Sequence, residues 1–342
     1  MDYKSMIYKY KHMKTTKVVT LKSRPAGLPQ PADFAITEET VPAPADGQLL
    51  LRSRYVSVDP YLRGKMSGTK QPRFELDRPL NSKIIAEVIT STHPGFRKGE
   101  FVSHYLDWKE YQLSDGSGLV KVDAQTAPLT AYLGVLGITG LSAYFSLLDI
   151  GLPKAGETLA VSGAAGAVGS IAGQIGKLMG CRVVGIVGTA QKASLIRNEF
   201  GFDEAVNYRQ PDFKEALQKA CPEGIDIYFD NVGGPVSDAV LSGINSYGRV
   251  IACGAIANYN DTETAMGPSL LPLVVYKFLT IKGFLIADYA VRFPEGLTQL
   301  AQWLNEGKLR YKETVLDGFE RLPEALIGLF EGLNEGKMLV KW

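Results

Sequence analysis

An α/β fold, with a doubly wound parallel sheet and a second, mainly β domain that is discontinuous in sequence, is predicted by three features of this 342-residue chain. The first is the stretch 158–188, TLAVSGAAGAVGSIAGQIGKLMGCRVVGIVG, where a β-rich run, a glycine turn and a helix-periodic segment follow one another. The second is the alternation of strand-like and helix-like segments that continues to about residue 286. The third is a change of texture near Pro128, before which short β-type runs are separated by turn residues.

Thr158 to Ser162 reads as a strand, and Gly163, Gly166 and Gly169 follow at GxxGxxG spacing. Apolar residues then recur at helical intervals through Ile171, Ile175 and Leu178, and Arg182 to Val187 closes the unit as a second strand. The whole fits the ~30 residues of a βαβ crossover. Such a turn suits a dinucleotide pyrophosphate, because glycines allow close backbone approach and the helix start offers free N–H groups and positive dipole charge. A Gly/Ala-rich helix start packed closely on a sheet is the alternative.

Further along, helices are expected at Gln191 to Phe200, Asp212 to Ala220, Val236 to Ile244 and Pro294 to Gly307. Strands are expected at Glu204 to Asn207, IDIYFD, GRVIACGA and LTIKGFLI, with Ile256 to Pro268 irregular between the last two. This alternation implies a parallel sheet covered by helices on both faces. Ahead of it, APLTAYLGVLGITGLSAYFSLLDIG is apolar and helix-permissive, with Gly151 and Pro153 as its stop.

From Lys17 to about Val122, runs such as Leu49 to Val58 alternate and stop at turn residues, as in a small β domain. Glu313 to Phe319 and KMLVKW read as strands around a helix at Leu322 to Leu333. They have no place in the nucleotide sheet and are assigned back to the β domain. The resulting division is 13–133 with 309–342 for the β-rich catalytic domain and 134–308 for the nucleotide-binding domain. Residues 1–12 read as a disordered leader or cloning remnant, with Met13 an alternative start.

Hydrophobic residues make up 45% and charged residues 21% of the chain, ordinary values for a soluble globular protein. A net charge of +1 offers no basic excess for nucleic acid or an anionic membrane. The apolar stretch 133–148 is broken by glycines and is shorter than the ~20 residues of a membrane span. Three distant cysteines, Cys181, Cys221 and Cys253, give neither a disulfide framework nor a CxxC site, so a reducing, cytoplasmic location is expected. Those cysteines with His12, His93 and His104 show no zinc-ligand spacing, and no metal is expected, a single zinc site being the alternative.

The motifs VDPYLRG, GITGLSAYFSLLDIG, GAAGAVGSIAGQIGKLMGCRVVG, NYR, YFDNVGG, CGAIANYN and EGKMLVKW resemble the zinc-independent medium-chain dehydrogenase/reductase superfamily. The resembled branch is that of the prostaglandin reductases and 2-alkenal double-bond reductases, and the resemblance covers nearly everything from Met13 onward. It implies a Rossmann domain beside a GroES-like β domain. It also implies NADPH-dependent reduction of the C=C bond of α,β-unsaturated ketones and aldehydes, with hydride delivered to the β-carbon and the carbonyl carrying the charge as an enolate. Quinone reduction, or cofactor binding without catalysis, are the other readings this architecture leaves open.

For the cofactor, the carboxylate that binds a ribose 2′-OH in NAD-type units, ~20 residues past the glycines, is missing from Gly188–Lys192. Lys192 is placed to pair with a 2′-phosphate, and Tyr208 and Arg209 match family positions near it, which favours NADP(H). The glycine turn, with Gly163, Gly166, Ala167, Val168 and Gly169, is assigned the pyrophosphate. By resemblance, Asn231, Cys253, Gly254, Ala255, Ile256, Tyr259, Phe284, Leu285, Ile286 and Asn334 line the remaining cofactor site. Cys253 has no neighbouring positive charge and reads as a packing residue.

Tyr259 is the candidate to donate a hydrogen bond to the developing oxyanion, solvent or a ribose hydroxyl being other proton sources. Tyr61 resembles a pocket-facing position, a core aromatic being the alternative, and Arg63 reads as a guide for an acidic substrate tail or as a surface pair. The strand at Leu279 to Ile286 is expected at the sheet edge, where a second copy would continue the sheet as a homodimer.

Overall fold

The computed structural model describes residues 14–67 and 73–342, so the expected leader at 1–12 lies outside the described residues. The strands of the first part are β1 (Lys14–Leu21), β2 (Phe34–Val41), β3 (Leu49–Ser57), β4 (Asn81–Ser91), β5 (Phe101–Asp107), β6 (Tyr111–Ser114) and β7 (Val120–Val122). Those that follow are β8 (Thr158–Ser162), β9 (Arg182–Val187), β10 (Glu204–Asn207), β11 (Ile225–Asp230), β12 (Ile244–Ala252), β13 (Thr280–Gly283), β14 (Glu313–Asp317) and β15 (Lys337–Lys341). The helices are α1 (Leu62–Met66), α2 (Ile138–Ser146), α3 (Gly169–Leu178), α4 (Ala190–Asn198), α5 (Phe213–Ala220), α6 (Gly234–Ser242), α7 (Leu271–Lys277), α8 (Phe293–Asn305) and α9 (Leu322–Glu331). No helix among the described residues is long and apolar enough to cross a membrane.

The chain divides into two compact units. One holds the described residues up to Leu133 with Val315–Glu331 and Met338–Trp342. The other holds Gly134–Thr314 and Gly332–Lys337.

In the first unit a sheet of order β14-β15-β3-β4-β5-β7, with β6 also on β3, accompanies the separate β1-β2 hairpin. Strand alternation sorts β4 between two cores: Ile84, Ala86 and Val88 enter the main one, while Ile85 packs with Leu133 and Leu339 on the opposite face. Trp108 is fully buried, and its indole N–H donates to Ser82 Oγ at 2.8 Å, so the polar edge of a large apolar ring is satisfied.

In the second unit six parallel strands run in the order β10-β9-β8-β11-β12-β13. Chain direction across the sheet reverses beside β8, and in open α/β sheets that reversal opens a ligand crevice at the carboxyl ends of the strands. Every residue of β8 is buried, as a strand covered on both faces requires.

Three segments differ from the sequence expectation. The stretch after Pro128 is not one long helix: α2 begins only at Ile138, and a Cβ on its Gly140 would lie 1.9 Å from the Val135 carbonyl oxygen. Its stop uses Leu152 in the left-handed region (φ 46°), while Gly151 is small because Ile251 packs against it. Between the expected irregular loop at 256–268 and the last sheet strand lies α7, to which the sequence reading assigns no element; its Pro272 sits in the first turn, where a missing N–H costs nothing. The edge strand β13 itself ends at Gly283, earlier than the expected Ile286, and a helical turn follows at Ile286–Arg292.

Candidate active site

Gly163 leaves β8 at φ +60°, a conformation costly for any side chain with a Cβ. A Cβ on Gly169 would stand 2.4 Å from the Gly163 carbonyl oxygen, so the turn closes only because α3 begins on a glycine. Ala167 and Val168, half-exposed at the mouth of this turn, have N–H groups that meet no acceptor among the described residues. The turn therefore presents donors at the positive end of a ten-residue helix, which is what an anionic pyrophosphate needs.

A second anion-ready cluster lies at the start of α4. Thr189 caps the helix by accepting the Lys192 N–H at 3.2 Å, and this fixes the backbone from which the lysine projects. Lys192 Nζ donates to the Gly332 carbonyl at 2.7 Å. Burial pushes its ammonium group down from the ordinary lysine range, against the raising charge of Glu335. The Arg209 guanidinium lies 5.8 Å from the Tyr208 ring centroid, and a Cβ on Gly332 would sit 3.6 Å from Lys192 Nζ and 4.0 Å from an Arg209 nitrogen. Lys192, Tyr208 and Arg209 are thus brought together, as their proposed shared ligand requires.

The sequence places no carboxylate beside Lys192, but the fold supplies one. Glu335, from the C-terminal return, accepts from Gln191 Nε2 at 2.7 Å and pairs with Lys312 at 3.0 Å. Only its position in EGLNEGK could have signalled it. The same return holds the glycine turn: the Gly336 N–H donates to the Ala165 carbonyl at 2.7 Å, and Asn334 Nδ2 closes onto the Gly336 carbonyl at 2.8 Å. One of the two Asn334 amide hydrogens is thereby used within its own turn.

At the carboxyl ends of β8, β11 and β12, Asn231 and the loop 253–259 come together. The Asn231 backbone N–H donates to Ser162 Oγ at 2.9 Å, and its side-chain Nδ2 donates to the Ser162 carbonyl at 2.8 Å, bracing the β11 turn against the glycine turn. Ile256 and Ala257 N–H groups return to the carbonyls of Asn231 and Val232, which seats Cys253, Gly254 and Ala255 beside them. Tyr259 follows in the same loop; its hydroxyl accepts the Ala255 N–H at 3.3 Å, and its own proton finds no acceptor among the described residues. Burial, then the charge of Asp230, pushes the Cys253 thiol up to about 12, in keeping with a packing residue.

Phe284 lies edge-on to Tyr289, 6.4 Å between centroids, while Leu285 is 71% exposed. In the first unit, Tyr61 is 43% exposed, and partial desolvation, then the charge of Asp59, raises its phenol above the ordinary range. Arg63 does not steer anything from the surface: it is 4% exposed, and its guanidinium donates to the carbonyls of Pro25 at 3.2 Å and Gly27 at 2.8 Å. Among the described residues no three His, Cys, Asp or Glu side chains cluster as a metal site would require.

Two family models match, an N-terminal domain of oxidoreductases over residues 17–122 and a zinc-binding dehydrogenase domain over residues 167–305. The chain is 44% identical to an NADPH-dependent curcumin reductase of Escherichia coli K12, over 88% of this chain and 89% of the relative. It is 40% identical to mouse prostaglandin reductase 1, over 90% of this chain and 93% of the relative. Among solved structures it is similar to CurA from Vibrio vulnificus in complex with NADPH, with a TM-score of 0.91 and 44% identity, covering 95% of this chain and 98% of that one. The chain is an oxidoreductase of the medium-chain dehydrogenase/reductase superfamily and belongs to its prostaglandin reductase and 2-alkenal reductase branch.

Proposed function

We propose that the chain is an NADP(H)-dependent reductase of the C=C bond in α,β-unsaturated ketones and aldehydes. The observation that carries this reading is the placement of Tyr259, at the carboxyl edge of the nucleotide sheet with a proton free to give and an N–H bonded to its oxygen. The relatives named as curcumin and prostaglandin reductases support the substrate class, and the NADPH complex of the solved relative supports the cofactor.

Under this reading the glycine turn from Gly163 to Gly169 holds the pyrophosphate through the Ala167 and Val168 N–H groups. Lys192, Arg209 and Tyr208 hold the 2′-phosphate. Asn231, Cys253, Gly254, Ala255, Ile256, Phe284, Leu285 and Ile286 flank the nicotinamide, and Asn334 fixes the turn that pins the glycines. When bound, the cofactor supplies a hydride to the electrophilic β-carbon. Tyr259 donates a hydrogen bond to the carbonyl oxygen as it gains charge, with the Ala255 N–H polarising the hydroxyl from behind. Tyr61 is assigned to the substrate pocket. A panel of alkenals, enones, enone acids and quinones with NADPH and NADH tests the reading; turnover of quinones alone would replace it.

We also infer a homodimer through β13. This edge strand and its neighbours expose Ile281 (41%), Phe278 (62%), Val275 (65%) and Tyr276 (80%), an apolar rim beside unpaired edge groups that a second copy would cover. The three free cysteines suit a cytoplasmic setting.

A further inference from the structure

Asp230 ends β11 and is only 9% exposed, yet among the described residues no lysine, arginine or histidine pairs with it. Five donors converge on it instead. Oδ1 accepts from Ser162 Oγ at 3.0 Å, the Tyr228 hydroxyl at 2.9 Å, and the N–H groups of Val232 at 2.9 Å and Gly233 at 3.0 Å. The Ser237 hydroxyl donates to Oδ2. Every contact is a donor, as an acceptor-only carboxylate requires.

The residue also reaches the next strand, because its main-chain carbonyl accepts the N–H groups of Cys253 at 2.8 Å and Gly254 at 3.1 Å. One side chain and its own backbone therefore tie together the ends of β8, β11 and β12 and the start of α6. These are the segments to which the NADP(H) reading, on which this inference rests, assigns the nicotinamide half of the cofactor.

Hydrogen bonding alone does not call for an ion here, since the carbonyl oxygen of an asparagine could accept from most of the same donors. The charge has a visible reach: after burial, Asp230 is the next cause raising both the Cys253 thiol and the Tyr228 phenol. A nicotinamide ring becomes cationic when it loses hydride. A fixed negative charge directly behind Asn231 and Cys253 favours that cationic form over the neutral one, and does so more strongly in a poorly screened site.

We propose that Asp230 is a positioning residue that sets the potential of the bound nicotinamide: its buried charge stabilises the oxidised cofactor relative to the reduced one and makes the reduced one a stronger hydride donor. Neutralising the charge then weakens NADP⁺ more than NADPH.

The test measures dissociation constants for NADPH by fluorescence and for NADP⁺ by competition, in the wild type, Asp230→Asn and Ser237→Ala, with a thermal melt of each. For Asp230→Asn the ratio Kd(NADP⁺)/Kd(NADPH) is expected to rise about tenfold, equivalent to ~30 mV in the bound two-electron couple. Ser237→Ala removes a donor and leaves the charge less compensated, so the ratio should fall by roughly two- to threefold. That opposite shift keeps the proposal testable if Asp230→Asn does not fold. Equal weakening of both nucleotides, or an unchanged ratio in either folded variant, overturns the inference and leaves Asp230 a structural brace. A wild type that binds neither nucleotide overturns the NADP(H) reading itself.

Discussion

Lys192 Nζ is hydrogen-bonded to the carbonyl of Gly332 at 2.7 Å, joining the first turn of α4 to a segment 140 residues further along. A half-buried ammonium whose direct partner is a neutral carbonyl is a ready counter-ion for a phosphate. Lys192→Ala should raise KM for NADPH by about tenfold or more, the loss of roughly one charge-assisted contact, while KM for NADH changes little. Equal effects on the two cofactors would remove Lys192 from phosphate recognition.

A pH dependence follows from the same residue. Burial lowers the Lys192 pKa, and phosphate binding needs the protonated form. NADPH affinity should therefore decline as pH rises, beginning below the usual lysine pKa of about 10.4. Lys192→Arg, which keeps its charge throughout, should bind NADPH without that alkaline decline. A decline that is the same in both proteins would assign it to another group.

Glu335 works against the phosphate from the neighbouring position. Glu335→Gln keeps the shape and the bond to Gln191 but removes the negative charge that acts on Lys192. NADPH should bind about threefold more tightly and NADH about as before, a modest effect because the pair with Lys312 already offsets part of the Glu335 charge. Titrations showing weaker NADPH binding would mean that Glu335 chiefly supports the Gly336 turn.

The β13 edge makes a prediction about assembly. Ile281→Lys places a charge in the exposed rim of the edge strand and should convert a dimer into a monomer in light scattering, leaving the fold intact by circular dichroism. A wild type that is already monomeric contradicts the inferred interface.

The strand, glycine turn and helix at 158–178 were legible because local periodicity and turn chemistry agree there: each signal lies within a few residues of the atoms it positions. The same holds for the alternating strands of the β-rich unit. What could not be read depends on distant contacts. Glu335 meets Gln191 across 144 positions, and Gly336 reaches Ala165 only through the folded return. Arg63 looks like any surface arginine in VDPYLRG, and its burial depends on the carbonyls of Pro25 and Gly27. Asp230 reads as the polar end of an apolar strand until Ser162 and Ser237 are brought beside it.

Tyr259 carries the central claim. With its hydroxyl held by the Ala255 N–H, Tyr259→Phe should lower kcat for enone reduction by about 10²-fold, the usual cost of one oxyanion donor, with NADPH affinity near wild type. The most direct measurement is single-turnover oxidation of bound NADPH by a simple enone, followed at the nicotinamide absorbance, in the wild type and in Tyr259→Phe. The account predicts rapid loss of absorbance in the wild type and a loss about a hundredfold slower in the variant. NADPH binding without oxidation in the wild type, or equal rates in the two proteins, would contradict it.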